Sequence, residues 1–141
     1  MNSIRVLVVD DNAAFRQRVA EFLAAEPDLE VVGEAADGGE ALLKARELVP
    51  DLVLMDVRMP GTNGISATRQ IREQVPAVKV IVLSRFDVQE YREAAMASGA
   101  SGYVFKRSLI GDLLPAIKGV LKENGQAQPE LALKVHVADN E

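Results

Sequence analysis

Cysteine is absent from this chain of 141 residues, which excludes disulfide bonds, thiolate metal sites and cysteine nucleophiles. Histidine occurs once, as His136, and we interpret it as a tail residue rather than as a metal ligand or a phosphodonor. No apolar run approaches the roughly 18 residues that a membrane-spanning helix needs. The first residues lead directly into a strand pattern, without the features of a signal peptide. We therefore expect a cytoplasmic protein with no membrane association.

An excess of positive charge is also absent. The chain has 16 lysine and arginine residues against 21 aspartate and glutamate residues, for a formal net charge of −5. A negative chain is poorly suited to nucleic acid, so we expect no direct nucleic-acid binding. What is present is an ordinary globular balance, with 48% hydrophobic and 26% charged residues. The length suits one domain with a full core.

Five short apolar runs predict buried β-strands. They cover residues 4–9, 30–35, 52–55, 78–83 and 101–105. Apolar residues at helical spacing between and after these runs predict five helices, the last over 109–123. Alternating strands and helices indicate the α/β class, with a parallel sheet covered on both faces. The second strand is short and flanked by polar residues, so we expect it at an edge, which favours the flavodoxin-like order 2-1-3-4-5.

Local signals predict the helix ends. Asn12 is the expected N-cap of the first helix, and Gly99 is the expected left-handed residue after the fourth. Pro115 removes a backbone donor inside the fifth helix, which predicts a late start or a mild kink. The apolar residues that support the fourth helix are Val88, Tyr91, Ala95 and Met96.

Polar side chains follow or end four of the predicted strands. They are Asp10 and Asp11 after the first, Asp56 after the third, Ser84 after the fourth and Lys106 after the fifth. Open α/β sheets bind ligands at the C-terminal ends of their strands, so these side chains should meet at one edge. Crowded carboxylates repel and require a cation, and oxygen-only ligands favour a hard ion such as Mg²⁺. A carboxylate nucleophile beside a cation, a hydroxyl and a lysine is suited to accept a phosphoryl group.

Each of these residues has a simpler interpretation when it is taken alone. Adjacent aspartates after a strand are commonly helix caps, and an aspartate before a turn is commonly a solvated turn residue. A serine or a lysine at a strand end is commonly a surface residue. The combination of all of them at the ends of four strands is what favours a functional site.

Four stretches carry a resemblance to a known family. They are residues 4–11, 54–61, 83–87 and 99–106. These stretches resemble the receiver domain of bacterial two-component response regulators, in particular its NarL/LuxR-type branch. The resemblance implies a CheY-like fold, with a receiver domain over 1–124 and a linker or tail over 125–141. Proteins of that branch usually carry a C-terminal helix-turn-helix DNA-binding domain, which we expect to be missing from this chain.

The resemblance also implies a chemical role for the acidic residues. Asp56 would accept a phosphoryl group from a phosphohistidine on a sensor histidine kinase. Asp11, Asp56 and the backbone carbonyl of Arg58 would hold Mg²⁺, and Asp10 would assist through water. We expect no enzyme activity beyond self-phosphorylation and autodephosphorylation.

The remaining matched residues would form a switch. Ser84 and Lys106 would contact the phosphoryl group, and Tyr103 would move when Ser84 is drawn inward. The surface made by the fourth helix, the fifth strand and the fifth helix would then change. That change of surface would control an output domain or a partner protein in the regulation of transcription. The partner could also be a second copy of the chain, in a homodimer.

Some positions depart from the family pattern. Arg85 stands directly after the hydroxyl position, where many receivers have a small residue, and its size could crowd the pocket. Arg107 follows Lys106 where many receivers have a proline after a cis bond, so the isomer of that peptide bond is left open. Arg58 and Phe86 would flank the attacking water, which predicts slow loss of the phosphoryl group.

Two alternatives to this interpretation remain open. The chain could be a receiver-shaped interaction module that is never phosphorylated, or a stand-alone signalling receiver.

Two further classes of protein are disfavoured by the sequence. A Mg²⁺-dependent phosphohydrolase would usually need an acid two residues after the nucleophile, where this chain has Arg58. A dinucleotide binder would need a glycine-rich loop after the first strand, and that loop is missing.

Overall fold

The computed structural model describes residues 3–59, 62–85 and 89–126. The strands of its main sheet are β1 (Ile4–Val9), β2 (Leu29–Ala35), β3 (Leu52–Asp56), β4 (Lys79–Ser84) and β5 (Gly102–Phe105). They form one parallel sheet in the order β2-β1-β3-β4-β5. The predicted α/β fold with flavodoxin-like order 2-1-3-4-5 is confirmed.

Helices alternate with these strands along the chain. They are α1 (Ala13–Ala24), α2 (Gly38–Leu48), α3 (Gly64–Gln74), α4 (Gln89–Ala97) and α5 (Leu109–Gln126), with a 3₁₀ turn at Lys106–Ser108. A small antiparallel ribbon between β3 and α3 pairs Arg58–Met59 with Thr62–Asn63. The sequence did not predict this ribbon, because two-residue strands carry no periodic pattern.

The core lies on both faces of the sheet, because successive strand residues point to opposite faces. The face towards α2, α3 and α4 buries Leu7, Val9, Val53, Met55 and Ile71, among others. The face towards α1 and α5 buries Val6, Val8, Leu52, Leu54, Leu113 and Ile117, among others. Every residue of the central strand β3 is buried. Packing on both faces therefore fixes the position of Asp56 at its C-terminal end.

Two of the predicted helix ends are confirmed. The Asn12 side chain accepts a hydrogen bond from the Phe15 N–H at 2.9 Å and caps α1. Gly99 follows α4 with φ at 107°, a left-handed conformation that glycine adopts readily. A Cβ at this position would also lie 2.8 Å from Arg72 Cγ. Glycine is thus required there by its backbone conformation and by the space available.

One detail of the sequence prediction was wrong. The second strand lies at the edge as predicted, but its seven residues make it the longest strand of the sheet rather than a short one. The fourth helix is present as predicted, and its Met96 is 45% exposed because it lies about 100° around the helix from the buried Ala95. The fifth helix begins at Leu109 as predicted and continues through Pro115 without a late start, and the mild kink stays a prediction.

Some predictions fall outside the described ranges. Val88 and Phe86 are among these residues, as is the tail from 127 onwards. The domain limits of 1–124 and 125–141 therefore stay a prediction. Within the described ranges, no helix is both long enough and apolar enough to cross a membrane.

Candidate functional site

The parallel register brings four strand ends to one edge of the sheet. The paired residues at these ends are Val9 with Met55, Asp56 with Leu83, and Ser84 with Phe105. Asp10 and Lys106 come directly after two of these paired residues. They therefore lie at the same edge as Asp56 and Ser84, where the sequence placed them.

Asp10, Asp11 and Asp56 form an acidic cluster, in which one carboxylate oxygen from each residue lies within 4.8 Å of the others. Asp10 and Asp56 are only 1% and 4% exposed, whereas Asp11 is exposed. Asp56 Oδ2 is buried and has no hydrogen-bond partner within the described ranges. Because a buried oxygen without a donor is costly, this atom is suited to a metal ion. The oxygen-only donor set fits a hard divalent cation such as Mg²⁺.

Lys106 places its ammonium group inside the acidic cluster. Its Nζ lies 2.5 Å from Asp10 Oδ2 and 3.1 Å from Asp56 Oδ1. The same Nζ lies 4.2 Å from the centroid of the Phe15 ring, a cation–π contact. With all groups ionised, three carboxylates and one ammonium leave two net negative charges. That residual charge is compatible with the binding of one divalent cation.

The pKa of Asp56 reflects these surroundings. Burial raises the pKa of this carboxyl above its usual value, because desolvation destabilises the anion. The nearby charge of Lys106 lowers the same pKa, whereas the charges of Asp10 and Asp11 raise it. A divalent cation would act in the same direction as Lys106 and favour the carboxylate, the form that can act as a nucleophile.

Hydrogen bonds to its side chain and to its backbone help to hold Asp10 in place. Its Oδ1 accepts from the Asn12 N–H at 2.9 Å, and its backbone carbonyl accepts from Arg16 Nη1 at 2.6 Å. Arg16 is in turn fixed by an ion pair with Glu34, with 2.9 Å between Nε and Oε1. Sequence reasoning missed Arg16. Its position four residues after the N-cap of α1 was the available signal, since that spacing places it one helical turn along.

Gly64 is a second residue that sequence reasoning missed. Its N–H donates to the Val57 carbonyl at 2.7 Å, so α3 begins directly against the end of β3. A Cβ on Gly64 would lie 1.8 Å from the carbonyl oxygen of Asp56. Asn63 caps the helix by accepting from the Ile65 N–H at 2.8 Å. Only glycine permits this close approach, which fixes the backbone that carries Asp56.

We predict that Gly64→Ala destabilises the fold by about 1–3 kcal/mol, because the added methyl group must displace backbone atoms. Gly119→Ala is the matched control, since a Cβ on Gly119 meets no atom within 4 Å. That control should stabilise the fold by about 0.5–1 kcal/mol through its better helix propensity. Urea denaturation of both variants measures the difference. A Gly64→Ala variant as stable as the wild type would contradict the close approach.

A cleft of about 270 Å³ opens above Asp56, and we name it the Asp56 cleft. Its lining residues are Asp56, Val57, Arg58, Ser84 and Arg85. Ser84 is fully buried, whereas Arg58 and Arg85 are exposed. Arg85 lies at the pocket as predicted, and its crowding of the pocket stays a prediction. The proposed shielding of the site by Phe86 lies outside the described residues and stays a prediction.

Tyr103 is buried beside the site on β5, at 8% exposure. Its ring meets that of Phe105 edge to face, with 5.8 Å between centroids. Arg92 of α4 places its guanidinium carbon 5.0 Å from the Tyr103 centroid, a contact that the sequence did not reveal. The peptide bond after Lys106, left open above, is trans, because the described ranges contain no cis peptide bond.

The chain is similar in sequence to known proteins. The family model for the response regulator receiver domain matches residues 6–118. The transcriptional regulatory protein DegU of Brevibacillus brevis is 38% identical over 130 residues, which cover 92% of this chain and 55% of that protein. The response regulator protein VraR of Staphylococcus aureus is 38% identical over 135 residues, which cover 94% of this chain and 64% of that protein.

A solved structure is similar over almost the whole chain. It is the two-component response regulator of the LuxR family from Aurantimonas sp. SI85-9A1, with a TM-score of 0.82 and 33% identity. The alignment covers 99% of this chain and 100% of that one. The chain nevertheless spans less than two thirds of the length of the two curated relatives.

Proposed function

This chain belongs to the response regulator receiver domain family, and from that membership we propose that Asp56 accepts a phosphoryl group from a sensor histidine kinase. One observation carries the proposal. Asp56 is a buried carboxylate at the end of the central strand, and one of its oxygens has no hydrogen-bond partner among the described residues. It contacts Lys106 and lies beside two further carboxylates. Buried carboxylates in such a cluster are costly unless they bind or react with something.

The acidic residues have distinct parts in this proposal. Asp11, Asp56 and the backbone carbonyl of Arg58 would hold Mg²⁺, with Asp10 assisting through water. The bound cation would offset the negative charge of the phosphoryl group. Asp56 supplies the nucleophile, because it alone combines membership of the acidic cluster with a place in the cleft that opens above it.

In the transfer step, an Asp56 oxygen attacks phosphorus and a new P–O bond forms. The P–N bond of the phosphohistidine breaks, and its electron pair leaves with the imidazole nitrogen. Lys106 would move from its carboxylate partners to a phosphoryl oxygen, and the Ser84 hydroxyl would donate to another. We propose no catalysis beyond this self-phosphorylation and the later hydrolysis of the aspartyl phosphate.

The proposal is tested by incubating the purified chain with acetyl phosphate, a small phosphodonor, with Mg²⁺ or with a chelator. The chain contains no tryptophan, so intact-mass spectrometry of quenched samples is preferred to fluorescence. We expect the mass of one phosphoryl group to be added only when Mg²⁺ is present. Absence of this adduct with Mg²⁺ would favour the interaction module that is never phosphorylated.

The wider role of the protein is also a proposal. One relative carries the name of a transcriptional regulatory protein, and both curated relatives are longer than this chain. We propose that the receiver controls transcription from the cytoplasm, through a C-terminal DNA-binding domain outside this chain or through a homodimer. The stand-alone receiver is the alternative to this arrangement.

Ser84 and Tyr103 form the proposed switch. A phosphoryl group on Asp56 would draw the Ser84 hydroxyl inward and leave space beside β4. Tyr103 lies on the neighbouring strand, and residue 103 pairs with residue 82 of β4. Movement of its ring would change its contact with Arg92 and so reach α4. Packed side chains that have two arrangements convert a small shift at a site into a discrete change of surface.

We predict that beryllofluoride, which mimics the phosphoryl group, changes amide hydrogen exchange in α4 and β5 as well as near Asp56. The physical reason is the contact of Arg92 with both Tyr103 and Phe105, at 5.0 and 5.9 Å from their ring centroids. Asp56→Asn under the same conditions is the control and should show no change. Changes confined to the loops around Asp56, with α4 unaffected, would refute the switch.

A further inference from the structure

Arg85 lies between two clefts. It directly follows the buried Ser84, is exposed, and lines the Asp56 cleft. It also lines a second cleft of about 340 Å³, which we name the arginine cleft. The lining residues of the arginine cleft are Asp10, Asn12, Phe15, Arg18, Arg85, Lys106 and Arg107. Arg85 is thus a positively charged residue that lines both the arginine cleft and the Asp56 cleft.

Among the residues that the structure describes, none uses the charge of Arg85 in a hydrogen bond or an ion pair, and the same holds for Arg18 and Arg107. A guanidinium presents five donors that match carboxylate and phosphate oxygens. The acidic cluster and Lys106 together carry two net negative charges when ionised, so without a bound cation they repel an anionic phosphodonor. A bound divalent cation would balance that charge, and the Arg85 guanidinium adds positive charge beside the balanced site.

The direction of phosphoryl transfer places the leaving group near this charge. The attacking and leaving atoms lie roughly in line through phosphorus. With Asp56 buried as the attacking group, the leaving group lies towards the open side of the Asp56 cleft. Arg58 and Arg85 are the exposed cations of that lining. Arg85 adjoins Ser84, the hydroxyl assigned above to the phosphoryl oxygens.

We propose that Arg85 determines donor specificity, favouring acyl phosphates over phosphoramidates as small phosphodonors; this inference rests on the proposed function. With acetyl phosphate, an Asp56 oxygen bonds to phosphorus, the P–O bond breaks and its electron pair leaves on acetate. The developing carboxylate is stabilised by the Arg85 guanidinium. With phosphoramidate, the P–N bond breaks and nitrogen leaves as ammonia. That leaving group is neutral and gains nothing from a guanidinium.

The test compares second-order rate constants for phosphorylation by the two donors, at constant ionic strength and saturating Mg²⁺. We expect Arg85→Gln to slow the reaction with acetyl phosphate about fivefold, as for one exposed charge pair, and that with phosphoramidate less than about twofold. Arg85→Lys keeps the positive charge and should keep most of the preference for acetyl phosphate over phosphoramidate. Arg107→Gln is the matched control, because Arg107 lines only the arginine cleft, and it should change neither rate by more than about twofold.

Other outcomes would overturn the inference. Equal slowing with both donors would assign Arg85 a role without donor specificity. Faster reaction with both donors in Arg85→Gln would mean that the arginine obstructs the cleft. If Arg107→Gln lost the preference for acetyl phosphate as much as Arg85→Gln does, the effect would come from the combined positive charge of the arginine cleft and not from Arg85. If the wild type is phosphorylated by neither donor, the proposed function fails together with this inference.

Discussion

Asp11→Asn is expected to abolish phosphorylation of Asp56 while the domain stays folded. Asp11 is the exposed member of the acidic cluster, so its replacement leaves no buried partner without a counter-charge. It does remove one ligand of the proposed Mg²⁺ site. Because a bound cation contributes several kcal/mol to such a step, the rate should fall at least about a hundredfold. The unfolding free energy should be unchanged or higher, since one repulsive charge is lost.

Asp28→Asn provides the control for this change. It removes the same charge from an exposed residue whose carbonyl accepts from the Ile4 N–H. Because Ile4 begins β1, Asp28 lies at the N-terminal ends of the strands, whereas Asp56 lies at their C-terminal ends. Its labelling rate with acetyl phosphate and Mg²⁺ should equal that of the wild type. A folded Asp11→Asn variant that labels at the wild-type rate would exclude Asp11 as a metal ligand.

Lys106→Met is expected to lower the unfolding free energy by about 3 kcal/mol when divalent cations are absent. The lysine joins two carboxylates that are almost fully buried, at 2.5 and 3.1 Å. Removing one partner of a buried ion pair leaves an uncompensated charge, which costs about 3–5 kcal/mol. Added Mg²⁺ should recover part of the loss, because a cation that binds only the native state stabilises it.

Urea denaturation with a chelator and with increasing Mg²⁺ measures both effects. Lys118→Met is the control, since Lys118 is exposed on α5, and it should change stability by less than about 0.5 kcal/mol. Stabilisation by Mg²⁺ should be larger in Lys106→Met than in the wild type, because the competing ammonium is gone. If Lys106→Met matches the wild type in both respects, the ammonium does not hold the acidic cluster together.

The sequence predicted the sheet and the residues at its edge for one physical reason. In a parallel sheet, every strand ends at the same edge, so the polar residue that ends each apolar run is located without any knowledge of side-chain geometry. Asp56 and Ser84 were placed in this way, and the register of β3 and β4 agrees. The polar residues that flank β2 correctly predicted that it is an outer strand of the sheet. They did not predict its length.

What the sequence could not predict depends on distances between elements. The approach of Gly64 to the Asp56 carbonyl requires the position of α3 relative to β3. The contacts of Arg16 with Asp10 and of Arg92 with Tyr103 join residues on different elements. A long cationic side chain can reach several neighbours, and its sequence position does not fix which. The exposure of Met96 shows the same limit for a residue near the edge of an apolar helix face.

The location of the phosphoryl group tests the central claim most directly. The chain is incubated with acetyl phosphate and Mg²⁺, and then treated with borohydride, which reduces an aspartyl phosphate to homoserine. Peptide mapping by mass spectrometry then identifies the converted residue, with a sample lacking acetyl phosphate as the reference. We predict conversion at Asp56 and at neither Asp10 nor Asp11. Conversion at another residue, or addition of phosphate that leaves Asp56 intact, would contradict the assignment of Asp56 as the phosphoacceptor.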